Sequence, residues 1–171
     1  MTYIDYALQI LKLTENDKSS NTYRILFALN CYPKGVSYTD LLNHAAAFNQ
    51  SSLSRTLNSC EKRKLIKFNP TTKLYQTNYF FDISSLSTDC YTWLYKILNS
   101  TLVGANITLI RIAIYLIAVK EIKIADLAIV LDLTKEHIIS SILKLTEELG
   151  TKIIIVDENF DSISANLTWF E

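Results

Sequence analysis

The feature that most constrains this chain is an internal repeat. An offset of 86 residues aligns segment 122–132 with segment 36–46 and places Leu127 on Leu41. The helical segments that follow align at an offset of 85 residues, which matches Ile138 with Leu53, Ile142 with Leu57, and Leu145 with Cys60. An offset that stays nearly constant through two helices indicates two copies of one structural unit in tandem.

The first copy begins with two short helices. Thr39 is suited to cap the first of them, which continues as an apolar run to Ala47. Phe48 and Asn49 interrupt that run, and the second helix is expected over residues 50–63. The three apolar residues that the repeat matches lie on one face of this second helix, which is therefore its buried face.

A β-hairpin follows the two helices. Runs rich in β-forming residues at 65–68 and 74–81 flank a turn at 69–72. The face of helix 50–63 opposite its apolar stripe is polar and consists of Gln50, Ser51, Ser54, Arg55, Asn58, Lys62 and Arg63. Two short helices across a tight turn, followed by a hairpin, describe a winged helix-turn-helix whose polar helix is the reading element.

Residues 22–81 resemble the winged-helix domains of bacterial and archaeal MarR-type regulators. The resemblance implies a double-stranded DNA-binding transcriptional regulator that acts as a homodimer on two-fold symmetric sites. In such a protein helix 50–63 enters the major groove, with Arg55 suited to guanine and Asn58 to adenine. The residues expected at the DNA are Gln50, Ser51, Ser52, Ser54, Arg55, Asn58, Lys62, Arg63, Lys67 and Lys73.

The expected fold is mainly α with small β-hairpin wings, an α+β chain of two winged helix-turn-helix units in tandem joined by a helix. Residues 1–86 would hold an N-terminal amphipathic helix and the first unit, 87–104 a linker helix, and 105–171 the second unit. Only three Gly and two Pro occur in 171 residues, which leaves little room for long loops. With nearly half of its residues hydrophobic, each half could close a core of its own.

Two helices lie outside the minimal units. The N-terminal one, over 3–13, either packs against a second subunit or closes the core of its own chain. The linker helix, over 88–103, either joins the two halves or forms a dimer contact, because its apolar residues wrap over more than half of its circumference.

Charge divides the two halves. The net charge of the chain is zero, but residues 1–85 hold ten Lys/Arg against six Asp/Glu, and residues 86–171 hold seven against eleven. The first half is suited to phosphate, whereas the acidic second half is suited to a protein partner or to its own twin.

Chemistry other than binding has little support in the sequence. The three cysteines lack metal-ligand spacing, and His44 and His137 lie in different repeats. We therefore expect no enzyme activity, no cofactor and no metal. The longest apolar run, 107–119, contains Arg111 and is too short to cross a bilayer, so we expect no membrane partner and a cytoplasmic, nucleoid-associated location.

Two functions from different classes remain open. The regulator rests on the basic side chains of helix 50–63. The alternative is a protein–protein scaffold that resembles in plan the winged-helix subunits of chromosome-condensing and endosomal sorting complexes, and zero net charge favours it. A plasmid or phage replication or packaging function, in which tandem winged helices also bind DNA, is a third candidate.

Overall fold

The structure, a computed structural model, describes residues 1–44, 49–100, 103 and 106–168. It is a largely helical α+β chain with two small antiparallel sheets of three strands each, which confirms the α+β class expected from the sequence. In chain order the elements are α1 (Tyr3–Leu13), α2 (Asn21–Cys31), β1 (Val36–Ser37), α3 (Tyr38–His44), α4 (Gln50–Lys62), β2 (Ile66–Asn69), β3 (Leu74–Thr77), α5 (Thr88–Asn99), α6 (Ile107–Val119), β4 (Glu121–Lys123), α7 (Ile124–Leu131), α8 (Lys135–Leu149), β5 (Ile154–Val156) and β6 (Ser162–Ala165). None of the described helices is long and apolar enough to span a membrane.

The same order of elements occurs twice. The run from α2 to β3 contains a helix, a short strand, two helices and a hairpin, and the run from α6 to β6 repeats it. The sheets have equivalent orders, β1-β3-β2 and β4-β6-β5. Their registers also correspond, since Val36 pairs with Tyr75 in the first sheet and Ile122 with Ile163 in the second.

The repeat extends further towards the N-terminus than the sequence suggests. At an offset of 87 residues the buried positions of α1 coincide with those of α5, pairing Tyr3 with Cys90, Tyr6 with Trp93, Ala7 with Leu94, Ile10 with Ile97, and Leu11 with Leu98. Both helices begin at a hydroxyl cap, Thr2 and Ser87. The expected linker helix is therefore also the counterpart of the N-terminal helix.

These two helices join the halves into one core. Helix α1 packs against α6, and α5 packs against both α2 and α6. The hydroxyl of Tyr3 donates a 3.0 Å hydrogen bond to the carbonyl of Ile114 in α6. The buried residues form one cluster that spans both halves, so the expectation of two separate cores is not met. Of the two roles considered for the N-terminal helix, the structure shows it closing the core of its own chain.

Two helix starts differ from the sequence prediction. Thr39 is not the cap of α3, because the Oγ of Ser37 accepts from the backbone N–H of Asp40 at 3.1 Å. Asn49, which the sequence pattern presents only as an interruption, caps α4 by accepting from the N–H of Ser52 at 2.8 Å. The predicted apolar run at 45–47 lies outside the described residues.

Several predicted elements are longer than the observed ones. The linker helix is predicted to end at residue 103 but ends at Asn99. Residues 101 and 102, which belong to the predicted end of this helix, lie outside the described residues. The last strand, predicted over 162–169, ends at Ala165, and residue 169 again lies outside the described residues. The strand predicted over 152–156 begins at Ile154, and β3, predicted to residue 81, ends at Thr77.

The early end of β3 has a visible cause. Asn30, which is fully buried, donates from Nδ2 to the carbonyl of Tyr79 at 3.2 Å and accepts at Oδ1 from the N–H of Phe81 at 2.9 Å. These side-chain bonds replace the ladder bonds that a longer strand would make. The chain therefore leaves the sheet, and the ring of Phe81 packs against Tyr3 and Tyr6 at centroid distances of 4.9 and 4.5 Å.

Candidate nucleic-acid interface

Helix α4 is fixed in place by its apolar stripe. Leu53, Leu57 and Cys60 are 0%, 2% and 0% exposed, as their spacing predicts. The burial raises the pKa of the Cys60 thiol, which packs here as a small apolar group. The amphipathic pattern of α4 thus sets which of its side chains face solvent.

The opposite face of α4 carries an outward stripe formed by Ser51, Arg55, Asn58 and Lys62. All four residues are exposed and recur at helical spacing. The Nε of Arg55 donates to the carbonyl of Ser51 at 3.2 Å, which aligns the start of the guanidinium with the helix. Within the described part of the chain no other hydrogen bond of this guanidinium is seen, so its terminal amino groups are available to a ligand.

One flank of α4 is held by the loop between α1 and α2 and by the first residue of α2. The Nδ2 of Asn21 donates to the Oγ of Ser52 at 3.0 Å. At the other end of the helix, the guanidinium of Arg63 forms an ion pair with the carboxylate of Asp17. Burial alone would lower the pKa of Arg63, but the hydrogen bond and charge of Asp17 raise it overall.

The other flank of α4 rests on Tyr38, the first residue of α3. Its hydroxyl donates to the backbone carbonyl of Gln50 at 3.0 Å and lies 2.9 Å from the Oγ of Ser54. These contacts fix the first two turns of α4 relative to α3. Tyr38 therefore helps to set the orientation of α4 and the direction in which its outward stripe faces solvent.

The hairpin between β2 and β3 adds two exposed cations, Lys67 and Lys73. Its turn is closed by the Oδ1 of Asn69, which accepts from the N–H groups of Thr71 and Thr72 at 2.9 and 3.2 Å. Lys73 has a positive φ of 60° at the end of this turn. The hairpin therefore presents lysines from a defined backbone.

The ten residues predicted from the sequence fall into two groups. Exposed positions on α4 and the hairpin comprise Gln50, Ser51, Arg55, Asn58, Lys62, Lys67 and Lys73. Ser52, Ser54 and Arg63 instead hold α4 against neighbouring segments. Sequence reasoning missed the partners that position the helix, Asp17, Asn21 and Tyr38. Only the Asn49 cap had a local signal, a short polar side chain directly before the helix.

The corresponding face of the second half has the opposite charge. At an offset of 85 residues the outward stripe maps to Glu136, Ser140, Leu143 and Glu147 of α8. The hairpin between β5 and β6 carries Asp157, Glu158 and Asp161 in place of lysines. An anion would meet carboxylates on this face and cations on the face of α4.

The described residues contain no group of three or more His, Cys, Asp or Glu side chains arranged to hold a metal ion. Comparisons with protein-family models, curated proteins and solved structures found no match to this chain.

Proposed function

We propose that this chain is a sequence-specific, double-stranded DNA-binding protein of tandem winged helix-turn-helix architecture that acts as a transcriptional regulator. The observation that carries the proposal is the outward stripe of α4, in which Arg55, Asn58 and Lys62 are exposed on the face opposite the buried leucines. Arginine and asparagine are the side chains best suited to bidentate contacts with guanine and adenine.

The dimensions of α4 fit a major groove. Its 13 residues make a helix about 20 Å long, and Arg55 and Lys62 lie two turns apart on one face. A major groove about 12 Å wide admits a single helix of this kind. In this arrangement Arg55 and Asn58 meet base edges, while Ser51 and Lys62 meet phosphates at the groove margins.

The hairpin beside α4 extends the same surface. Lys67 and Lys73 project from β2 and from the turn that precedes β3. In the proposed complex these lysines contact backbone phosphates and set the register, without reading the bases. Arg63 and Ser52 support the reading helix, because Arg63 is bonded to Asp17 in the loop before α2 and Ser52 to Asn21, the first residue of α2.

A second function, protein binding, is favoured by the acidic face of the second half. Ile129 of α7 is 80% exposed and Leu143 of α8 is 47% exposed, and carboxylates surround them in sequence. Asn43 and Asn58 occupy the equivalent positions in the first half. Apolar groups in an acidic face are typical of a protein contact and unfavourable beside phosphate. We therefore assign DNA to the first half and any protein partner, including a second copy, to the second.

The test is a titration of the full chain against a duplex selected from random or genomic fragments, and against a scrambled duplex. Arg55→Ala should weaken specific binding by roughly 1–3 kcal/mol and leave weak binding to the scrambled duplex largely intact. Lys144→Ala removes one positive charge from α8 and is the matched control, which should bind both duplexes like wild type. An Arg55→Ala protein that melts normally and binds as tightly as wild type would transfer the assignment to the protein scaffold.

A further inference from the structure

A cavity of about 700 Å³ lies where the first half meets the second. Its walls come from the end of α1, from α6, and from the turn between α7 and α8. Leu8, Leu11, Val130 and Leu133 give it apolar surface, and its charged lining consists of two cations, Lys12 and Arg111, and two carboxylates, Glu15 and Asp132. The volume falls within the range of about 300–1,000 Å³ that is typical of small-molecule sites.

Arg111 is the unusual residue in this wall. Its Nε is shielded from solvent and has no hydrogen-bond partner. Glu15 and Asp132 line the same cavity, yet neither forms an ion pair with Arg111, whose guanidinium has no hydrogen bond to any described residue. A half-buried guanidinium without an acceptor is costly, and an anion that enters the cavity would relieve that cost.

The repeat supplies an internal comparison for Arg111. Arg24 occupies the equivalent position in α2, 87 residues earlier, and is 7% exposed. Its Nε likewise has no hydrogen-bond partner, but its Nη2 donates to the carbonyl of Ser100 at 3.4 Å, an acceptor that the chain itself provides. Arg111 lies beside an open cavity instead of a backbone carbonyl. Arg111 therefore lacks, among the described residues, the acceptor that the Nη2 of Arg24 has.

We propose that this cavity binds a small organic anion, with its carboxylate on Arg111 and its apolar body on the leucine and valine wall. A carboxylate matches the guanidinium in geometry and charge, and Lys12 adds a second positive charge at the cavity. Apolar burial against Leu8, Leu11, Val130 and Leu133 then supplies affinity that the charge pair alone does not give. The proposal is independent of DNA binding, because none of these residues lies on the outward stripe.

Calorimetric titration of the full chain with three probes tests the proposal. Hexanoate has both a carboxylate and an apolar body, hexanamide lacks the charge, and acetate lacks the body. We expect saturable binding of hexanoate, and binding of hexanamide and acetate at least about ten-fold weaker, in line with the loss of one charged hydrogen-bonded group or of several buried methylenes.

Two variants separate the site from general effects. Arg111→Met keeps the apolar stem and should weaken hexanoate binding by about ten-fold or more. Its melting temperature without ligand should equal or exceed that of wild type, because an unpartnered charge is removed. Leu8→Trp fills the cavity from a partly exposed position and should also block binding, whereas Lys144→Met, far along the chain on α8, should not.

Three results would overturn the proposal: no saturable binding of hexanoate to wild type, equal binding of hexanamide, or unchanged hexanoate affinity in both cavity variants. None of these results depends on whether the chain binds DNA.

Discussion

Arg63 at the end of α4 and Asp17 in the loop between α1 and α2 form a two-pronged ion pair. The Nη2 of Arg63 lies 3.1 Å from the Oδ2 of Asp17, its Nη1 contacts Oδ1, and Nη2 also donates to the Oγ1 of Thr22 at 3.2 Å. The same loop region reaches the start of α4 through Asn21 and Ser52. One polar segment therefore fixes both ends of α4.

The first prediction concerns this ion pair. The side chains of Arg63 and Asp17 are 30% and 13% exposed, so solvent screens the pair only in part. Asp17→Asn and Arg63→Gln should each lower the free energy of unfolding by about 1–2 kcal/mol in urea titrations. The double variant should lose less than the sum, with a coupling of about 1 kcal/mol. Fully additive losses would show that the two side chains act independently.

The second prediction concerns Lys73 on the hairpin. If Lys73 contacts a phosphate, Lys73→Ala should weaken binding to every duplex alike and reduce the slope of log K against log salt by about one unit. Affinity measured at four or more salt concentrations for a specific and a scrambled duplex provides the slope. Lys144→Ala, on the acidic half, should keep the wild-type slope. A loss confined to the specific duplex would instead make Lys73 a base-reading residue.

The helices of this chain were predictable because burial and periodicity agree. Helix α4 was expected over 50–63 and spans Gln50–Lys62, with the three expected residues buried. The ends of the strands were not predictable. The aromatic residues at 79–81 favour a longer strand β3, but they have a different role. Phe81 fills the core between α1 and the hairpin, and the amide that draws this segment out of the sheet belongs to Asn30, far away in sequence.

The candidate site was predictable only in its outward-facing part. Residues on the face opposite an apolar stripe must meet solvent, which identifies Arg55, Asn58 and Lys62 from spacing alone. The roles of Ser52 and Arg63 depend on polar partners at the start of α2 and in the loop before it, and such long-range polar pairs leave no periodic signal. The packing of α1 on α6 was likewise not predictable. An amphipathic pattern shows which face of a helix is buried, but it does not identify the element that covers this face.

The third prediction uses the end of α4. Lys64 has a positive φ of 59°, and in the second half Gly150 follows α8 with a φ of 65°. A positive φ destabilises a residue other than glycine by roughly 1 kcal/mol, and a change to glycine removes this cost. The greater freedom of glycine in the unfolded chain offsets part of that gain. Lys64→Gly should therefore leave the free energy of unfolding unchanged or raise it by up to about 1 kcal/mol.

Lys67→Gly is the control for that substitution, because Lys67 lies inside β2, where glycine weakens the strand. It should lower the free energy of unfolding measured in the same urea titrations. An equal loss in both variants would mean that the positive φ of Lys64 carries no strain.

The fourth prediction concerns pH and the two hairpin turns. The Oδ1 of Asp157 accepts from the N–H groups of Ser162 and Asp161 at 2.7 and 2.6 Å, and these hydrogen bonds lower its pKa below 3.8. Asp157 therefore stabilises its hairpin fully at pH values above the pKa that its carboxyl has in the unfolded chain. This contribution is lost as the pH falls through the lower pKa that the carboxyl has in the folded protein. The amide of Asn69 has the same role in the first hairpin and does not titrate.

Amide exchange measured by NMR between about pH 2.5 and 6 tests this difference. Protection of the Asp161 and Ser162 amides should fall at the acid end while that of Thr71 and Thr72 stays constant, after correction for intrinsic exchange. Asp157→Asn should remove the pH dependence at the second turn. A pH-dependent loss that persists in Asp157→Asn would assign it to another carboxylate.

The last prediction concerns Asn30, the buried amide that ends β3. The repeat places Ile117 of α6 at the equivalent position, 87 residues later, and it is also buried. Asn30→Ile would therefore install a residue that the second half accepts, but it would leave the N–H of Phe81 without its acceptor, while the carbonyl of Tyr79 would keep only the hydroxyl of Thr77 as a donor. Each backbone group that stays buried without a partner costs about 1–3 kcal/mol, and the added apolar surface offsets only part of this.

We expect Asn30→Ile to lower the free energy of unfolding by about 1–3 kcal/mol in urea titrations. Ile117→Val, which removes one buried methylene at the equivalent position, should cost about 1 kcal/mol. Near-UV circular dichroism should also change in Asn30→Ile, because the ring of Phe81 would lose its fixed position against Tyr3 and Tyr6. If Asn30→Ile were instead as stable as wild type, apolar packing of residues 79–81 and not the amide of Asn30 would hold the end of the hairpin.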